Sequence, residues 1–218
     1  MRKHILCFGD SNTWGYDPHG GRYDEHTRWP MVLEAEMGAG YRVIEEGMNG
    51  RTFCFDDPVE GGHKNAEAYL PACLMSANPI EIVCVMLGTN DCKERFGMNG
   101  AAIAYNLLEF VRLIRAYAFN DRGEPPRILL IAPPPIGENI LETRHGVYFG
   151  KDAPEKSRVL VNEYHRLARL LRCECISGGD FCRPCIQDAV HLTAEGHIAL
   201  GRAVAEQLKG SRNGQRTL

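Results

Sequence analysis

Short apolar runs alternate with segments of helical periodicity along the chain. Runs of β-branched and aliphatic residues predict strands, whereas apolar residues that recur every three or four positions predict amphipathic helices. The runs predict strands at residues 4–8, 41–44, 80–87, 127–132 and 173–176. The run at 80–87 is apolar almost throughout, as expected of a strand covered on both faces. The alternation therefore predicts an α/β fold with a parallel sheet and crossover helices.

The periodic segments between these runs predict the connecting helices. At residues 101–118 the recurring apolar residues would form one stripe against the sheet: Ile103, Leu107, Phe110, Val111 and Ile114. Further helices are predicted at 30–37, 65–75 and 157–171, and a last one from the N-capping residue Thr193 to about Lys209. No linker or repeat divides the chain, so we expect one domain over residues 1–209 and a polar C-terminal tail at 210–218. Residues 137–153 have no clear period and predict a long loop.

Polar and glycine-rich loops follow the first three predicted strands. Gly-Asp-Ser-Asn occupies 9–12, Gly-Met-Asn-Gly occupies 47–50, and Gly-Thr-Asn-Asp occupies 88–91. In an open α/β sheet, loops at the carboxyl ends of the strands line one crevice. We therefore expect these three loops to deliver serine, glycine and asparagine to the same edge of the sheet.

A serine in one of these loops and a histidine–carboxylate pair near the C-terminus suggest nucleophilic catalysis. The Ser11 hydroxyl is a weak nucleophile until a neighbouring base accepts its proton. His191 is the candidate base, and Asp188, three residues earlier, is placed to bond one of its ring nitrogens. The simpler alternatives are a turn serine that caps the following helix and a solvated histidine near a helix start.

Three groups are candidates to stabilise the oxyanion of a tetrahedral intermediate. Gly50 has no side chain to obstruct close approach, so its backbone N–H could face a substrate. The side-chain amide of Asn90 is a second donor, and the backbone N–H of Ser11 is a third. Each such donor is typically worth about 3 kcal/mol in the transition state. Asn90 and Gly50 would also suit ordinary turns.

These blocks, in this order, resemble the SGNH (GDSL) hydrolase family over almost the whole chain. The chain is most similar to the arylesterase and acyltransferase branch, judging by Ser-Asn-Thr-Trp-Gly at 11–15, Glu-Glu-Gly at 45–47 and Ala-Pro-Pro-Pro at 132–135. The resemblance implies a flavodoxin-like, three-layer α/β/α fold with a five-stranded parallel sheet. It also implies hydrolysis or transfer of small acyl esters, with no metal or cofactor.

The same resemblance implies a role for each candidate residue. Ser11 would be the nucleophile, His191 its base and Asp188 the group that orients the base. Gly50 and Asn90 would complete the oxyanion hole. Asn49 departs from that branch, which often carries a smaller serine there, so Asn49 is expected to shape the acyl pocket.

Two further features have two interpretations each. Trp14 either forms a wall of the acyl pocket or is a half-buried aromatic residue of the core. The segment at 137–149 is either a lid over the ester or a contact in a homo-oligomer, which the resemblance also suggests.

The charge balance and the absence of targeting features limit which partners and which location are expected. The 25 basic and 28 acidic side chains nearly balance, which gives no reason to expect nucleic acid or an anionic membrane. The sequence has no apolar stretch of membrane-spanning length and no targeting signal, so a cytoplasmic location is expected by default. The expected partner is a small-molecule ester.

Four of the nine cysteines cluster in the sequence as CxC followed by CxxC: Cys173, Cys175, Cys182 and Cys185. Such a cluster could hold zinc, although reduced thiols are the simpler expectation in a cytosolic protein. A zinc-binding module and a non-catalytic flavodoxin-like module are therefore alternatives to an enzyme. Within the enzyme hypothesis, the alternative is an esterase for O-acetylated sugars or metabolites.

Overall fold

A computed structural model describes the backbone of residues 2–214 and the side chains of residues 2–210. Its centre is a five-stranded sheet with the strand order β2-β1-β3-β4-β5, in which every neighbouring pair is parallel. The strands are β1 (Lys3–Gly9), β2 (Tyr41–Gly47), β3 (Ile82–Met86), β4 (Arg127–Ala132) and β5 (Glu174–Ser177). The predicted parallel sheet is therefore confirmed, with boundaries shifted by a few residues.

Helices cover both faces of this sheet. They are α1 (Ser11–Trp14), α2 (Trp29–Met37), α3 (Ala66–Ala77), α4 (Gly100–Tyr117), α5 (Gly146–Phe149), α6 (Ala153–Leu171) and α7 (Ala194–Gly214). One buried cluster joins α3, α4 and α6 to the sheet, and a second joins α2 and α7 to the opposite face. The result is the three-layer α/β/α arrangement that the resemblance implied. None of these helices is long and apolar enough to cross a membrane.

Two helix boundaries differ from prediction by more than two residues. Helix α6 begins at Ala153 rather than residue 157, with Pro154 in its first turn, where the ring pre-sets a helical φ and no N–H is needed. Helix α7 continues past Lys209 to Gly214, so the first part of the predicted tail is helical, and residues 215–218 lie outside the described residues. Thr193 caps α7 as predicted, because its Oγ1 accepts the N–H of Gly196 at 3.1 Å.

The clustered cysteines do not form a zinc site among the described residues. Cys173 and Cys175 pack against the cluster on the α4–α6 face, whereas Cys182 belongs to the cluster on the α2–α7 face. The sheet thus separates Cys173 and Cys175 from Cys182, which is close to them in sequence only. All four are free thiols, and burial raises the pKa of Cys175 and of Cys182 to about 12. They act as small packing residues.

Helix α7 carries a histidine that couples stability to pH. His197 is fully buried, and neither ring nitrogen has a hydrogen-bond partner within the described part of the chain. Burial lowers the pKa of His197 to about 3. The unfolded chain takes up this proton near pH 6.5. Since the folded-state pKa is the lower one, the stability that neutral His197 contributes is lost as the pH falls from about 6.5 towards 3.

We expect His197→Phe to weaken this dependence. Between pH 7 and pH 5 the free energy of unfolding of the wild type should fall by about 2 kcal/mol more than that of the variant. The reason is that the unfolded histidine binds a proton in this range and the folded His197 does not. Urea unfolding at both pH values measures the difference. His26→Gln, an exposed histidine, is the control and should behave as wild type. Equal losses in wild type and His197→Phe would contradict the interpretation.

Candidate active site

Ser11 lies in a tight turn at the junction of β1 and α1. Asp10 caps the helix, since its Oδ1 accepts the N–H of Asn12 at 3.0 Å. Gly9 is required for the turn, because a Cβ there would lie 2.1 Å from the Oγ1 of Thr13. The turn leaves Ser11 nearly buried, with its hydroxyl facing a cavity.

The loop between β5 and α7 places Asp188 and His191 opposite this serine. The Nε2 of His191 lies 2.9 Å from the Ser11 Oγ, and its Nδ1 lies 2.7 Å from the Oδ2 of Asp188. The other carboxylate oxygen accepts the backbone N–H groups of Val190 and His191 at 2.9 and 2.8 Å. Burial acts to raise the pKa of Asp188, but the hydrogen bonds and charge of His191 outweigh it and hold the pKa below its usual value.

These bonds set the protonation pattern of the histidine ring. An ionised carboxylate can only accept, so the Nδ1 of His191 carries the proton that points at Asp188. In the neutral ring the lone pair is then on Nε2, facing the hydroxyl of Ser11. The three predicted residues are thus brought into one hydrogen-bonded chain from nucleophile to base to carboxylate.

Asn12 links the loop that carries Ser11 to the loop that carries Asp188 and His191. Its side-chain amide donates to the carbonyl oxygen of Val190 at 3.2 Å, and its Oδ1 accepts the N–H of Leu192 at 3.0 Å. The two bonds flank His191 on both sides and hold the ring against Ser11. The sequence analysis assigned Asn12 no role. A buried amide next to a nucleophile, able both to donate and to accept, is the signal that could have found it.

The predicted oxyanion donors meet at the other side of Ser11. Gly50 has φ 77°, a backbone conformation that favours glycine, and the Asn90 side-chain amide donates one bond to the carbonyl oxygen of Arg51 at 3.1 Å. An amide has two N–H groups, so one remains for a ligand. Ser11, Gly50 and Asn90 line one cavity of about 250 Å³.

Two buried side chains fix the loops that carry these donors. The guanidinium of Arg51 donates to the backbone carbonyls of Gly9 at 2.9 Å and of Glu46, which ties the ends of β1 and β2 together. Asp91 accepts the N–H of Phe53 at 3.0 Å and so joins the loop after β2 to the loop after β3. Burial raises the pKa of Asp91 to about 7.

Comparison with known proteins decides what this arrangement is. The sequence model of the GDSL-like lipase/acylhydrolase family matches residues 7–199. The chain belongs to this family. The protein is a serine hydrolase of the GDSL/SGNH type, in which hydrogen bonds link Ser11 to His191 and His191 to Asp188.

Two solved structures show the same fold at appreciable identity. The aryl esterase of M. smegmatis is 32% identical to this chain and superposes on it with a TM-score of 0.86. The match covers 95% of this chain and 99% of the esterase. A carbohydrate acetylesterase family member from Sinorhizobium meliloti is 35% identical, covers 95% and 98%, and has a TM-score of 0.88. A comparison with curated protein sequences gave no match.

The cavity of this GDSL-type hydrolase is lined partly by residues that the sequence predicted and partly by others. Asn49 lines it as expected. Trp14 is not among the lining residues; its ring packs against Tyr16 and under the guanidinium of Arg22. Tyr16 lines the cavity in its place, with its ring 4.3 Å from that of His191.

A charged pair that the sequence analysis did not single out lies beside Gly50. The Nζ of Lys93 is 2.7 Å from the Oε1 of Glu60, and both side chains line the cavity. Lys93 is almost fully buried, and Asp57 lies 3.5 Å from its Nζ, so the buried cation is paired. The second oxygen of Glu60 lies 2.7 Å from where a Gly50 Cβ would be, so a side chain there would displace the Glu60 carboxylate as well as strain the backbone.

The segment at 137–153 forms one side of the cavity. The predicted long loop contains a 3₁₀ turn, helix α5 and the first residue of α6. It contributes His145, Tyr148 and Phe149 to the cavity, and the guanidinium of Arg144 donates to the Tyr16 hydroxyl at 2.8 Å. Its Leu141 and Val147 are exposed to solvent. Self-association through this segment stays a prediction.

Proposed function

We propose that this GDSL-type hydrolase cleaves esters of small carboxylic acids through an acyl-enzyme on Ser11. The observation that carries the proposal is the chain of hydrogen bonds from Ser11 through His191 to Asp188, at 2.9 and 2.7 Å. It opens on the same cavity as Gly50 and Asn90. A nucleophile, an oriented base and oxyanion donors around one space are what acyl transfer requires.

Acylation follows from this geometry. The Ser11 Oγ attacks the ester carbonyl carbon while the Nε2 of His191 takes the hydroxyl proton, and Asp188 stabilises the resulting imidazolium. The carbonyl oxygen becomes an oxyanion that accepts from the backbone N–H groups of Ser11 and Gly50 and from the Asn90 amide. Collapse breaks the bond to the alcohol oxygen, which leaves with the proton from Nε2.

Deacylation repeats these steps with water. His191 takes a proton from the water as its oxygen attacks the acyl carbon. The second tetrahedral intermediate collapses, the bond to the Ser11 Oγ breaks, and the proton on Nε2 returns to that oxygen. The carboxylic acid leaves. An alcohol in place of the water would give acyl transfer instead, and an occluded pocket that disfavours water would promote it.

The size of the cavity supports a small acyl group. At about 250 Å³ it lies below the range of drug-sized ligand pockets, which begins at about 300 Å³. Its apolar side is formed by Phe149 and Val190, with Tyr16 against the His191 ring. The solved aryl esterase at 32% identity supports the same substrate class.

A second candidate function is removal of acetyl groups from carbohydrates. The Sinorhizobium meliloti relative supports it, and so do the polar side chains that line the cavity: Asn49, Glu60 and Lys93. Carboxylate, ammonium and amide groups can donate to or accept from the hydroxyls of a sugar. The two candidates share one chemistry and differ in the alcohol that leaves.

An ester series with EDTA present tests the proposal. We expect rapid cleavage of p-nitrophenyl acetate, a decline with acyl length, and labelling of Ser11 by a fluorophosphonate, located by peptide mass spectrometry. Acetylated xylose and glucose, assayed in parallel, distinguish the two alcohols. If the fluorophosphonate labels another residue, or if EDTA abolishes the activity, the acyl-enzyme on Ser11 is wrong. Cleavage of the sugar acetates alone would favour the second function.

The proposed role of Asn90 in the oxyanion hole can be tested separately. Asn90→Ala should lower kcat by about 10²–10³-fold, because the lost amide bonds the oxyanion more strongly than the ground-state carbonyl. Steady-state kinetics with p-nitrophenyl acetate provides the measurement, with KM nearly unchanged. Asn106→Ala, which removes an amide on α4 that bonds to the Ile103 carbonyl, is the control. A rise in KM at constant kcat would instead assign Asn90 to substrate binding.

A further inference from the structure

A second histidine lies beside the catalytic residues. His145 precedes helix α5 and is half-buried in the wall of the active-site cavity. Its Nε2 is 3.9 Å from the Oδ2 of Asp188, and its ring centroid is 5.6 Å from that of His191. The mechanism proposed above makes no use of His145, so its position next to the triad carboxylate calls for another explanation.

Together the three side chains present metal ligands at suitable spacing. A ring nitrogen of His145, a carboxylate oxygen of Asp188 and a ring nitrogen of His191 all lie within 4.8 Å of one another. Within residues 2–210 no other three such side chains lie at this spacing. A tetrahedral ion with bonds of about 2.0–2.1 Å holds its ligands about 3.3 Å apart. The Asp188 Oδ2 lies 2.7 Å from the His191 Nδ1 and 3.9 Å from the His145 Nε2, on either side of that value.

The nitrogen of His145 that faces Asp188 is an acceptor. The Nε2 of His145 accepts a long hydrogen bond, 3.3 Å, from the Nε of Arg144, so it carries a lone pair rather than a proton. Arg144 would give up this weak bond and keep its 2.8 Å bond to the Tyr16 hydroxyl. His145 and His191 both line the cavity, so water from the cavity could take the fourth position of the ion.

The donor set selects the class of ion. Two imidazoles and one carboxylate suit Zn²⁺ and neighbouring transition metals, whereas Mg²⁺ and Ca²⁺ prefer oxygen ligands. We propose that His145, Asp188 and His191 form an inhibitory zinc site that shares two residues with the catalytic triad. Zinc is here a reversible inhibitor and takes no part in the ester chemistry.

Binding at this site would remove the general base. If zinc takes the Nδ1 of His191, the ring proton moves from Nδ1 to Nε2, and the hydrogen bond to Asp188 is replaced by two bonds to the metal, one from Nδ1 and one from the carboxylate. A proton on Nε2 leaves no lone pair to accept the Ser11 proton. If zinc takes Nε2 instead, the metal occupies that lone pair directly. In either case the hydroxyl of Ser11 is not activated, and acylation stops.

Zinc binding can be tested without any activity. We expect the Ser11→Ala protein, which cannot form an acyl-enzyme, to bind one Zn²⁺ per chain in equilibrium dialysis with buffered zinc. Adding His145→Gln, which replaces the imidazole by a neutral amide and so removes the ring nitrogen, should weaken binding at least about tenfold. Adding His26→Gln instead, at an exposed histidine distant in sequence from His145, should leave zinc affinity unchanged. Equal affinity with and without His145 would overturn the site.

Inhibition depends on the proposed function and is therefore measured separately. Zinc should inhibit the wild-type esterase, EDTA should restore it, and His145→Gln should need at least about tenfold more zinc, each variant scored against its own zinc-free rate. Undiminished inhibition of His145→Gln would refute the proposal. If no ester is cleaved but dialysis shows His145-dependent binding, the esterase proposal fails and the zinc site stands.

The free cysteines require one further control, because thiolates also bind zinc. Co²⁺ substituted for Zn²⁺ reports the ligands by absorption. We expect d–d bands of nitrogen and oxygen coordination that disappear in His145→Gln. A thiolate-to-cobalt charge-transfer band that persists in that variant would assign the metal to cysteine and overturn the proposal.

Discussion

Ser11→Ala is expected to lower kcat for p-nitrophenyl acetate by about four to six orders of magnitude. Without the hydroxyl there is no acyl-enzyme, and the oxyanion donors can assist only a slow direct attack by water. Residual activity at that level is easily masked by a contaminating esterase. Ser76→Ala, an exposed position on α3, should therefore be purified in parallel and should match wild type.

The fold should tolerate the loss of this hydroxyl. The Ser11 Oγ bonds to the Nε2 of His191, which lines the cavity and can bond to water instead. The free energy of unfolding should therefore change by about 1 kcal/mol or less, as measured in urea. If Ser11→Ala stays as active as wild type while folding normally, Ser11 is not the nucleophile and the proposed function is wrong.

Asp188→Asn is the second large effect, with an expected fall in kcat of about 10⁴-fold. The carboxylate accepts the Nδ1 proton of His191 and the backbone N–H groups of Val190 and His191. The single side-chain oxygen of asparagine can still accept the two backbone N–H groups, and the NH₂ group then faces the Nδ1 of His191. The NH₂ group can only donate, so the ring adopts the tautomer with the proton on Nε2, where it blocks the serine.

The tautomer distinguishes this cause from a simple loss of structure. Long-range ¹H–¹⁵N spectra of the histidine rings should report the proton on Nδ1 of His191 in wild type and on Nε2 in Asp188→Asn. Asp180→Asn, an exposed carboxylate after β5, provides the matched control and should keep wild-type kinetics. Activity within tenfold of wild type in Asp188→Asn would show that this carboxylate does not orient the base.

The sheet and the grouping of Ser11, His191 and Asp188 were predictable because each leaves a local feature in the sequence. A parallel strand buried on both faces needs a continuous apolar run, so β3 and β4 are visible in the sequence without any partner. Parallel strands then bring their carboxyl-end loops to one edge, so residues as far apart as Ser11 and Asn90 could be expected to meet. Asp188 and His191 were found because a turn brings residues three positions apart together whatever surrounds them.

Residues whose place depends on distant side chains were not predictable. Trp14 and Tyr16 are both aromatic and close to Ser11; the sequence analysis left Trp14 between the pocket wall and the core and did not consider Tyr16, which lines the cavity. Tyr16 is held there by Arg144, which comes from a segment without periodicity. In the same way, Glu60 and Lys93 pair across 33 positions of the chain, and neither has a local pattern that indicates the other.

The sequence by itself therefore determined the parallel α/β sheet, through apolar periodicity, and the family, through the order of its motif blocks. Short spacings within loops singled out Ser11, Asp188 and His191 as candidates. Only the tertiary structure decided which side chains surround the reacting groups. It placed His145 against Asp188, and it put Cys175 and Cys182 on opposite faces of the sheet. Side-chain direction in a loop is set by whatever packs on that loop, and those contacts come from distant parts of the chain.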